Sequence, residues 1–267
     1  MIGQQNLIKK FNSFSLDNLP KSIILFGDLG SGRHTIIKDL CNRLNLPLVE
    51  INKDIEVETL MDYQQTPINK MYLIVLDDML EKDQNKFLKF IEEPAKNVYT
   101  VVLARSSNTV LETIKNRCLN FYIESYSEND LKQIKSCDYP EIYKVCKTPG
   151  QLLNIDSKNF LKLLTLCNTI ITKLITAGFN NTLSISTKIN YKEEYDKFDF
   201  YLFLNTLEWC AFEDYLKNNK ESSFGFYKLV NKYRQQLLQM NTPIKENYII
   251  NLLVNLWEES RNGIKRA

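Results

Sequence analysis

The chain has 267 residues, of which 44% are hydrophobic, and its 34 basic and 32 acidic side chains leave a formal net charge of +2. This length and composition predict a soluble globular protein of one large domain or two to three smaller ones. A charge so close to balance argues against a protein that binds nucleic acid by itself. The apolar runs are too short to span a membrane and the amino terminus lacks a signal-peptide pattern, so we expect a cytoplasmic protein.

Six cysteines are scattered through the chain without a Cys-x-x-Cys pair, and the one histidine is His34. Zinc sites in proteins need four closely arranged cysteine or histidine ligands. The sequence therefore predicts no zinc site, and we assign no metal ligand among the cysteines. Isolated, buried thiols are the expected state.

The first motif follows a short helix at residues 6–14. A buried strand at Ser22–Phe26 leads into a glycine-rich segment and then into an amphipathic helix that ends near Leu44. Strand, glycine loop and helix predict a phosphate-binding loop, because glycines let backbone N–H groups turn inward and the helix amino terminus attracts anions. The candidate nucleotide-binding residues of this loop are Gly27, Gly30, Gly32, Arg33, His34 and Thr35.

The end of this loop departs from the usual pattern, which continues with Lys and then Ser or Thr. Arg33 is longer and planar, so it is not equivalent to the lysine that reaches the terminal phosphates. The imidazole of His34 cannot supply the hydroxyl that binds magnesium, and Thr35 carries one a position late. Two alternatives remain, a weakened ATP and magnesium site or a glycine loop kept only for folding. Neither predicts efficient ATP hydrolysis by this chain alone.

A second candidate position is the end of the apolar run Met71–Asp78. Strands are also expected at 46–51 and at 98–103, with a helix and loop between 53 and 69. Asp77 and Asp78 then lie at the carboxyl end of a buried strand, where open α/β sheets bind ligands. They are either the acids of a magnesium-dependent ATPase or carboxylates that cap the next helix.

Several short motifs, in order, resemble those of AAA+ clamp-loader subunits of replicative polymerases, most closely the delta-prime type of bacterial DNA polymerase III or a phage relative. They are Gln84-Asn85, Phe87-Leu-Lys89, Ile91-Glu-Glu-Pro94, Thr113-Ile114 and Asn116-Arg-Cys118, with Ile2-Gly-Gln4 and Thr148-Pro-Gly-Gln151 as weaker matches. The sequence departs from the family at Asn116, where the relatives carry Ser, and at Gln151, where many ATPases carry Arg.

The resemblance implies that Arg117 is an arginine finger for the nucleotide of a neighbouring subunit, while Ser106 or Ser107 senses the terminal phosphate. It implies a subunit that helps to load the sliding clamp onto primed DNA. Its partners would be other clamp-loader subunits in a hetero-pentamer, the clamp, and primer-template DNA through the complex. The alternatives are an ATP-hydrolysing motor subunit, of the gamma type or like the small subunits of replication factor C, and another replication ATPase such as a helicase loader.

The expected architecture has three parts. An α/β, AAA+-like P-loop domain with a parallel sheet covers residues 1–123, because strands and helices alternate there. A small helical lid follows at 124–156, with Ser127 predicted as the N-cap of its first helix. An all-helical domain at 157–267 carries an apolar stripe from Phe160 to Leu174, which the resemblance identifies with the oligomeric collar.

Overall fold

The computed structural model describes residues 2–77, 79–176 and 200–238, and its contacts divide the chain into two units. The first unit contains residues 2–134 and 148–150, and the second contains 135–147, 151–176 and 200–237. Asp78 lies outside the described residues. So do residues 178–192, where a composition rich in Asn, Ser and Thr predicts a polar connection, and residues 248–257, where an apolar pattern predicts a helix. The division into domains at 123 and 156 stays a prediction.

The first unit is built on a five-stranded sheet in which every neighbouring pair is parallel. Its strands are β1 (Ser22–Phe26), β2 (Leu48–Ile51), β3 (Lys70–Val75), β4 (Val98–Ala104) and β5 (Leu119–Tyr122), in the spatial order β2-β3-β4-β1-β5. The parallel sheet with intervening helices confirms the predicted α/β class.

Helices cover both faces of this sheet. The helices of this unit are α1 (Gln5–Asn12), α2 (Arg33–Leu44), α3 (Val57–Tyr63), α4 (Glu81–Gln84), α5 (Leu88–Glu92), α6 (Glu112–Lys115) and α7 (Glu128–Ile134). Side chains alternate across a strand, so Ile23 and Leu25 join the core under α1 and α2. Ile24 and Phe26 join the opposite core, under α3, α5 and α6. Burial on both faces explains why β1 is apolar from Ile23 to Phe26.

The helical spacing of Leu80, Phe87, Leu88 and Ile91 predicts one helix, but the structure has α4 and α5 separated by a 3₁₀ turn at Asn85–Phe87. In a 3₁₀ turn, residues three apart eclipse one another. The turn therefore brings Gln84 and Phe87, both fully buried, onto the same side. In an α-helix, residues three apart also share a face but lie about 60° apart around the axis, so the 3₁₀ turn aligns the two side chains more closely.

The strand order positions the candidate site. The chain leaves β1 for β2 at one edge of the sheet, and later passes from β4 across β1 to β5 at the other edge. The direction of the connections thus reverses beside β1, and ligands of such sheets bind at the carboxyl ends of the strands at this reversal. The glycine loop, Asp77 and the Ser106–Ser107 turn all follow strands at this edge.

The described part of the second unit is helical. Its helices are α8 (Glu141–Val145), the greater part of α9 (Pro149–Asn154), α10 (Ser157–Thr176), α11 (Phe200–Asn218) and α12 (Glu221–Leu238). Phe160, Leu163, Cys167, Ile170 and Ile171 are buried, which confirms the apolar stripe over that stretch. The α10 helix packs along α11, and α11 also contacts α8, where Asn205 Nδ2 donates to Val145 O at 3.0 Å.

All six cysteines are free thiols. Burial raises the pKa of the Cys41 thiol to about 11, so this side chain stays protonated at neutral pH. Within residues 2–77, 79–176 and 200–238, no three potential ligands among His, Cys, Asp and Glu group together as a metal site. None of the helices in these ranges combines the length and apolar character needed to cross a membrane.

Candidate nucleotide site and arginine motif

The glycine loop runs from the end of β1 to the start of α2. Gly30 and Gly32 have positive φ angles of 76° and 93°, a conformation open to glycine but strained for residues with a Cβ atom. The loop begins with Gly27 N donating to Ala104 O at 3.1 Å, which extends the pairing of β1 with β4. Gly32 is the N-cap of α2. The backbone thus has the strand, loop and helix order of a phosphate loop.

The residue at the lysine position is bound to the carboxylate that follows β3. Arg33 Nη1 lies 2.9 Å from Asp77 Oδ1, and Nη2 lies 2.5 Å from Oδ2. The two side chains are only 4% and 9% exposed. This is the parallel two-bond geometry in which a guanidinium and a carboxylate bind most strongly. The charges expected to meet phosphate and magnesium therefore neutralise each other.

The other polar side chains around the loop have different surroundings. His34 is partly buried and Thr35 is exposed, both in the first turn of α2. Ser31 Oγ is buried and has no hydrogen-bond partner among the described residues. It lies so close to Gly27 that a Cβ atom on that glycine would be 2.8 Å away.

A later segment of the chain lies against the loop. Gly150 N donates to Gly30 O at 2.9 Å. A Cβ atom added to Gly150 would come within 2.6 Å of Gly30 Cα, which shows how closely the two backbones approach. A Cβ atom on Gly30 would likewise lie 3.0 Å from Thr148 Oγ1. The sequence predicts that residues 148–151 belong to the helical lid, but it does not predict their contact with the glycine loop.

Tyr126 adds a second contact, which the sequence analysis missed. Its hydroxyl donates to Ser31 O at 2.8 Å. Burial raises the pKa of Tyr126, so the hydroxyl remains a donor throughout the physiological range. The opening motif supports this segment, because Gln4 Nε2 donates to Glu124 O at 2.8 Å and Glu124 N donates to Gln4 Oε1 at 2.9 Å. The amino-terminal Ile-Gly-Gln sequence therefore orders the chain that leads to Tyr126.

The two candidate sensor serines follow β4. Ser106 Oγ accepts from Asn108 N at 3.3 Å and thereby caps the 3₁₀ turn Ser107–Thr109. Ser107 is partly buried within that turn. The neighbouring Gln84 is fully buried, with Nε2 donating to Thr109 O at 2.8 Å and Oε1 accepting from Leu111 N at 3.1 Å. Gln84 thus ties α4 to the turn that carries the serines, a role that its place in the motif did not reveal.

Arg117 follows the short helix α6 and is exposed. Its Nη1 donates to Thr113 O at 2.8 Å, and its Nη2 donates to Glu92 Oε1 at 2.7 Å. The next residue, Cys118, contacts the apolar core, and burial raises the pKa of its thiol to about 12. Cys118 is thus a partly buried anchor on the core, next to the exposed cation of Arg117. Both hydrogen-bond partners of Arg117 within the described residues lie outside its own glycine loop.

Comparisons with known proteins find similar sequences and folds. The family model described as "DNA polymerase III, delta subunit" matches residues 50–127, a range that holds Asp77, Glu92 and Arg117. Over 166 residues the chain is 27% identical to DNA polymerase III subunit gamma of Buchnera aphidicola subsp. Schizaphis graminum, covering 49% of this chain and 46% of that protein. The chain is therefore similar to clamp-loader subunits over part of its length.

A second similar protein is the sliding-clamp-loader large subunit of Escherichia phage RB69. The identity is 22% over 147 residues, covering 50% of this chain and 45% of that protein. The chain spans about half the length of the curated relatives it matches. Among solved structures, a DNA polymerase III gamma subunit-related protein of Thermotoga maritima is 18% identical, with 96% of this chain and 99% of that chain covered and a TM-score of 0.47.

Proposed function

We propose that this chain is a delta-prime-type subunit of a clamp loader, the assembly that places a sliding clamp on primed DNA during replication. The family match over residues 50–127 supports this role, because that range holds both the Glu-Glu-Pro helix and the Arg-Cys motif. Its partners would be other clamp-loader subunits in a hetero-pentamer, the clamp, and primer-template DNA. The formal charge of +2 fits a protein that meets DNA as part of a complex.

We also propose that the ATP site of this chain is degenerate. The main support is the bidentate ion pair between Arg33 and Asp77. Magnesium could bind Asp77 only if this buried pair separated. Breaking a buried ion pair costs about 3–5 kcal/mol, which would lower ATP affinity by a factor of at least about 10². Gly150, which lies against Gly30, would add to that cost if ATP had to displace it.

Equilibrium binding of labelled ATP to the isolated chain tests the degenerate site. We expect no saturation in the micromolar range and almost no steady-state hydrolysis with magnesium. The double substitution Arg33→Lys with His34→Thr should raise ATP affinity, because it restores a compact ammonium and a magnesium-binding hydroxyl. A micromolar Kd for the unmutated chain, or turnover near the enzyme median of about 10 per second, would contradict the proposal.

Arg117 is proposed as the finger that acts on the nucleotide of an adjacent subunit. Its guanidinium is exposed and bonded outside its own glycine loop. An arginine in such a position can stabilise the negative charge that develops as a neighbouring ATP is cleaved.

The test is clamp-dependent ATPase activity of the reconstituted complex carrying Arg117→Ala or Arg117→Lys. A finger supplied in trans is worth roughly 10³–10⁵ in rate in GTPases, and the loss here should be smaller because other sites of the complex keep theirs. Lysine should rescue poorly because it lacks the planar fork. Lys115→Ala is the matched control, since it removes a cation from the same helix turn, where Lys115 pairs with Glu112. Equal rates in all these complexes would exclude the finger.

A gamma-type motor subunit is the second candidate, and the 27% identity to DNA polymerase III subunit gamma favours it. Such a subunit would bind and hydrolyse ATP at its own glycine loop. The labelled-ATP measurement separates the two candidates, because only the motor subunit requires saturable binding by this chain.

A further inference from the structure

Two motifs that are separate in the sequence meet at one ion pair. Glu92 is the last residue of α5, and Arg117 follows α6. Ile91 and Ile114, on these two helices, are buried in the same apolar core. The core therefore fixes the backbone on both sides of the ion pair, while the charged groups themselves project from the surface.

The guanidinium of Arg117 is held at two points. Thr113 O belongs to the preceding turn of its own helix, and Glu92 belongs to a neighbouring helix. A free arginine side chain has many rotamers, and two directed bonds remove much of that freedom. Of its five N–H donors, these bonds use two, so three are left to bind an anion.

We propose that Glu92 is a positioning residue that orients Arg117 toward the adjacent subunit before that subunit's nucleotide arrives. The proposal rests on the finger role proposed above for Arg117. Groups that are already oriented lose less freedom when the reacting complex forms, and this lowers the barrier.

The exposure of the pair suits this role. The side chains of Arg117 and Glu92 are 33% and 47% exposed. Water screens their attraction, so the guanidinium can exchange its carboxylate partner for a phosphate oxygen at little cost. The same screening limits how far the carboxylate offsets the positive charge of the finger. Glu92 therefore restricts orientation without holding the arginine in place permanently.

Glu93 provides a matched control. It carries the same charge one position later and is also exposed, but its side chain makes no hydrogen bond or ion pair within the described residues. A general effect of surface charge would appear in both Glu92→Ala and Glu93→Ala. A positioning effect would appear only in Glu92→Ala.

The experiment uses the reconstituted clamp-loader complex with its clamp, primed DNA and ATP. We expect Glu92→Ala to lower kcat by about two- to fivefold, the range set by the strength of an exposed ion pair. KM for ATP should stay constant, since the finger acts on charge that develops only in the transition state. Glu92→Gln should be intermediate because its amide oxygen still accepts a hydrogen bond, and Glu93→Ala should match the unmutated complex.

The decisive arm combines Glu92→Ala with Arg117→Ala. If Glu92 acts through Arg117, the second substitution causes no further loss once the arginine is absent. If Glu92→Ala lowers the rate equally with and without Arg117, Glu92 has a structural role and the proposal is overturned. An unchanged or faster rate in the single Glu92→Ala complex would also overturn the proposal. An Arg117→Ala complex with full activity would instead overturn the finger itself, and this inference with it.

Discussion

Two arginine–carboxylate pairs in the described part of the α/β unit have opposite surroundings. Arg33 and Asp77 are buried and joined by two parallel bonds, whereas Arg117 and Glu92 are joined by one bond at the surface. Removing one partner of a buried pair leaves a charge without water or a counter-ion, but an exposed partner is simply solvated. The buried pair therefore belongs to the architecture, and the exposed arginine is available to another molecule.

The largest expected effect is on stability at the buried pair. Arg33→Ala should lower the free energy of unfolding by about 3–5 kcal/mol, because Asp77 then stays buried without a partner. Urea denaturation measures this loss. Asp77→Ala should cost a similar amount, and the double variant should cost less than the sum of the two. A loss below about 1 kcal/mol for Arg33→Ala would show that water reaches Asp77 and that the two pairs do not differ as described.

A second test concerns the backbone contact beside the buried pair. In Gly150→Ala the new Cβ atom would lie only 2.6 Å from Gly30 Cα, which is closer than two such atoms can approach. Overpacking of this kind typically costs about 1–3 kcal/mol, so the unfolding midpoint in urea should fall. Leu153→Ala, at an exposed position of α9, is the control and should change stability by less than about 0.5 kcal/mol. Equal stability of both variants would mean that the segment moves away from the loop freely.

The pH dependence of unfolding tests the buried anchor beside the exposed arginine. The pKa of Cys118 rises on folding from 9.0 to about 12, because burial disfavours the thiolate. Below pH 9 the thiol is protonated in both states and contributes no slope. Above pH 9 only the unfolded thiol loses its proton, so this group lowers the free energy of unfolding by up to about 1.4 kcal/mol per pH unit, until about pH 12.

Cys118→Ala removes this contribution while the other thiols and the tyrosines stay in place. The difference in unfolding free energy between the variant and the unmutated chain should be constant below pH 9 and should change above it. A difference that stays constant from pH 7 to pH 10.5 would indicate a solvated Cys118 and a loosely held Arg117.

The smallest expected effect is on stability at the exposed pair. Arg117→Ala should cost only about 0.2–1 kcal/mol, the usual worth of a solvated ion pair. Thermal unfolding of Arg117→Ala, Glu92→Ala and the double variant should give nearly equal midpoints. If Arg117→Ala lowers the free energy of unfolding by more than about 2 kcal/mol, Arg117 is a structural residue like Arg33, and the two ion pairs do not differ as described.

Local patterns predicted the regular elements well. The sequence expectation for β1 coincides with Ser22–Phe26, because a short apolar run between polar turns specifies a buried strand. Ser127 was expected as an N-cap, and its Oγ accepts from Asp130 N at 3.1 Å. Such features depend on residues within one helical turn or one strand, so periodicity and capping chemistry are enough to find them.

The partners within the site could not be predicted in the same way. Arg33 and Asp77 are 44 positions apart, and Glu92 and Arg117 are 25 apart. Periodicity identifies the strand or helix that carries a residue, but not which other side chain it will meet. The contact of Gly150 with Gly30 is still less visible, since it depends on two backbones and involves no side chain at all.

The position of β1 in the sheet also determines when it can become structured. Its hydrogen-bonded neighbours are β4, which begins at Val98, and β5, which begins at Leu119. During synthesis the amino-terminal part emerges first, so the strand Ser22–Phe26 has no partner until β4 has been made, and it lacks its second partner until the chain through Tyr122 has been made. Pairing over such distances is slow because a long loop must close before any contact forms. The interior strand β1 is thus among the first segments translated and among the last to have both of its native neighbours.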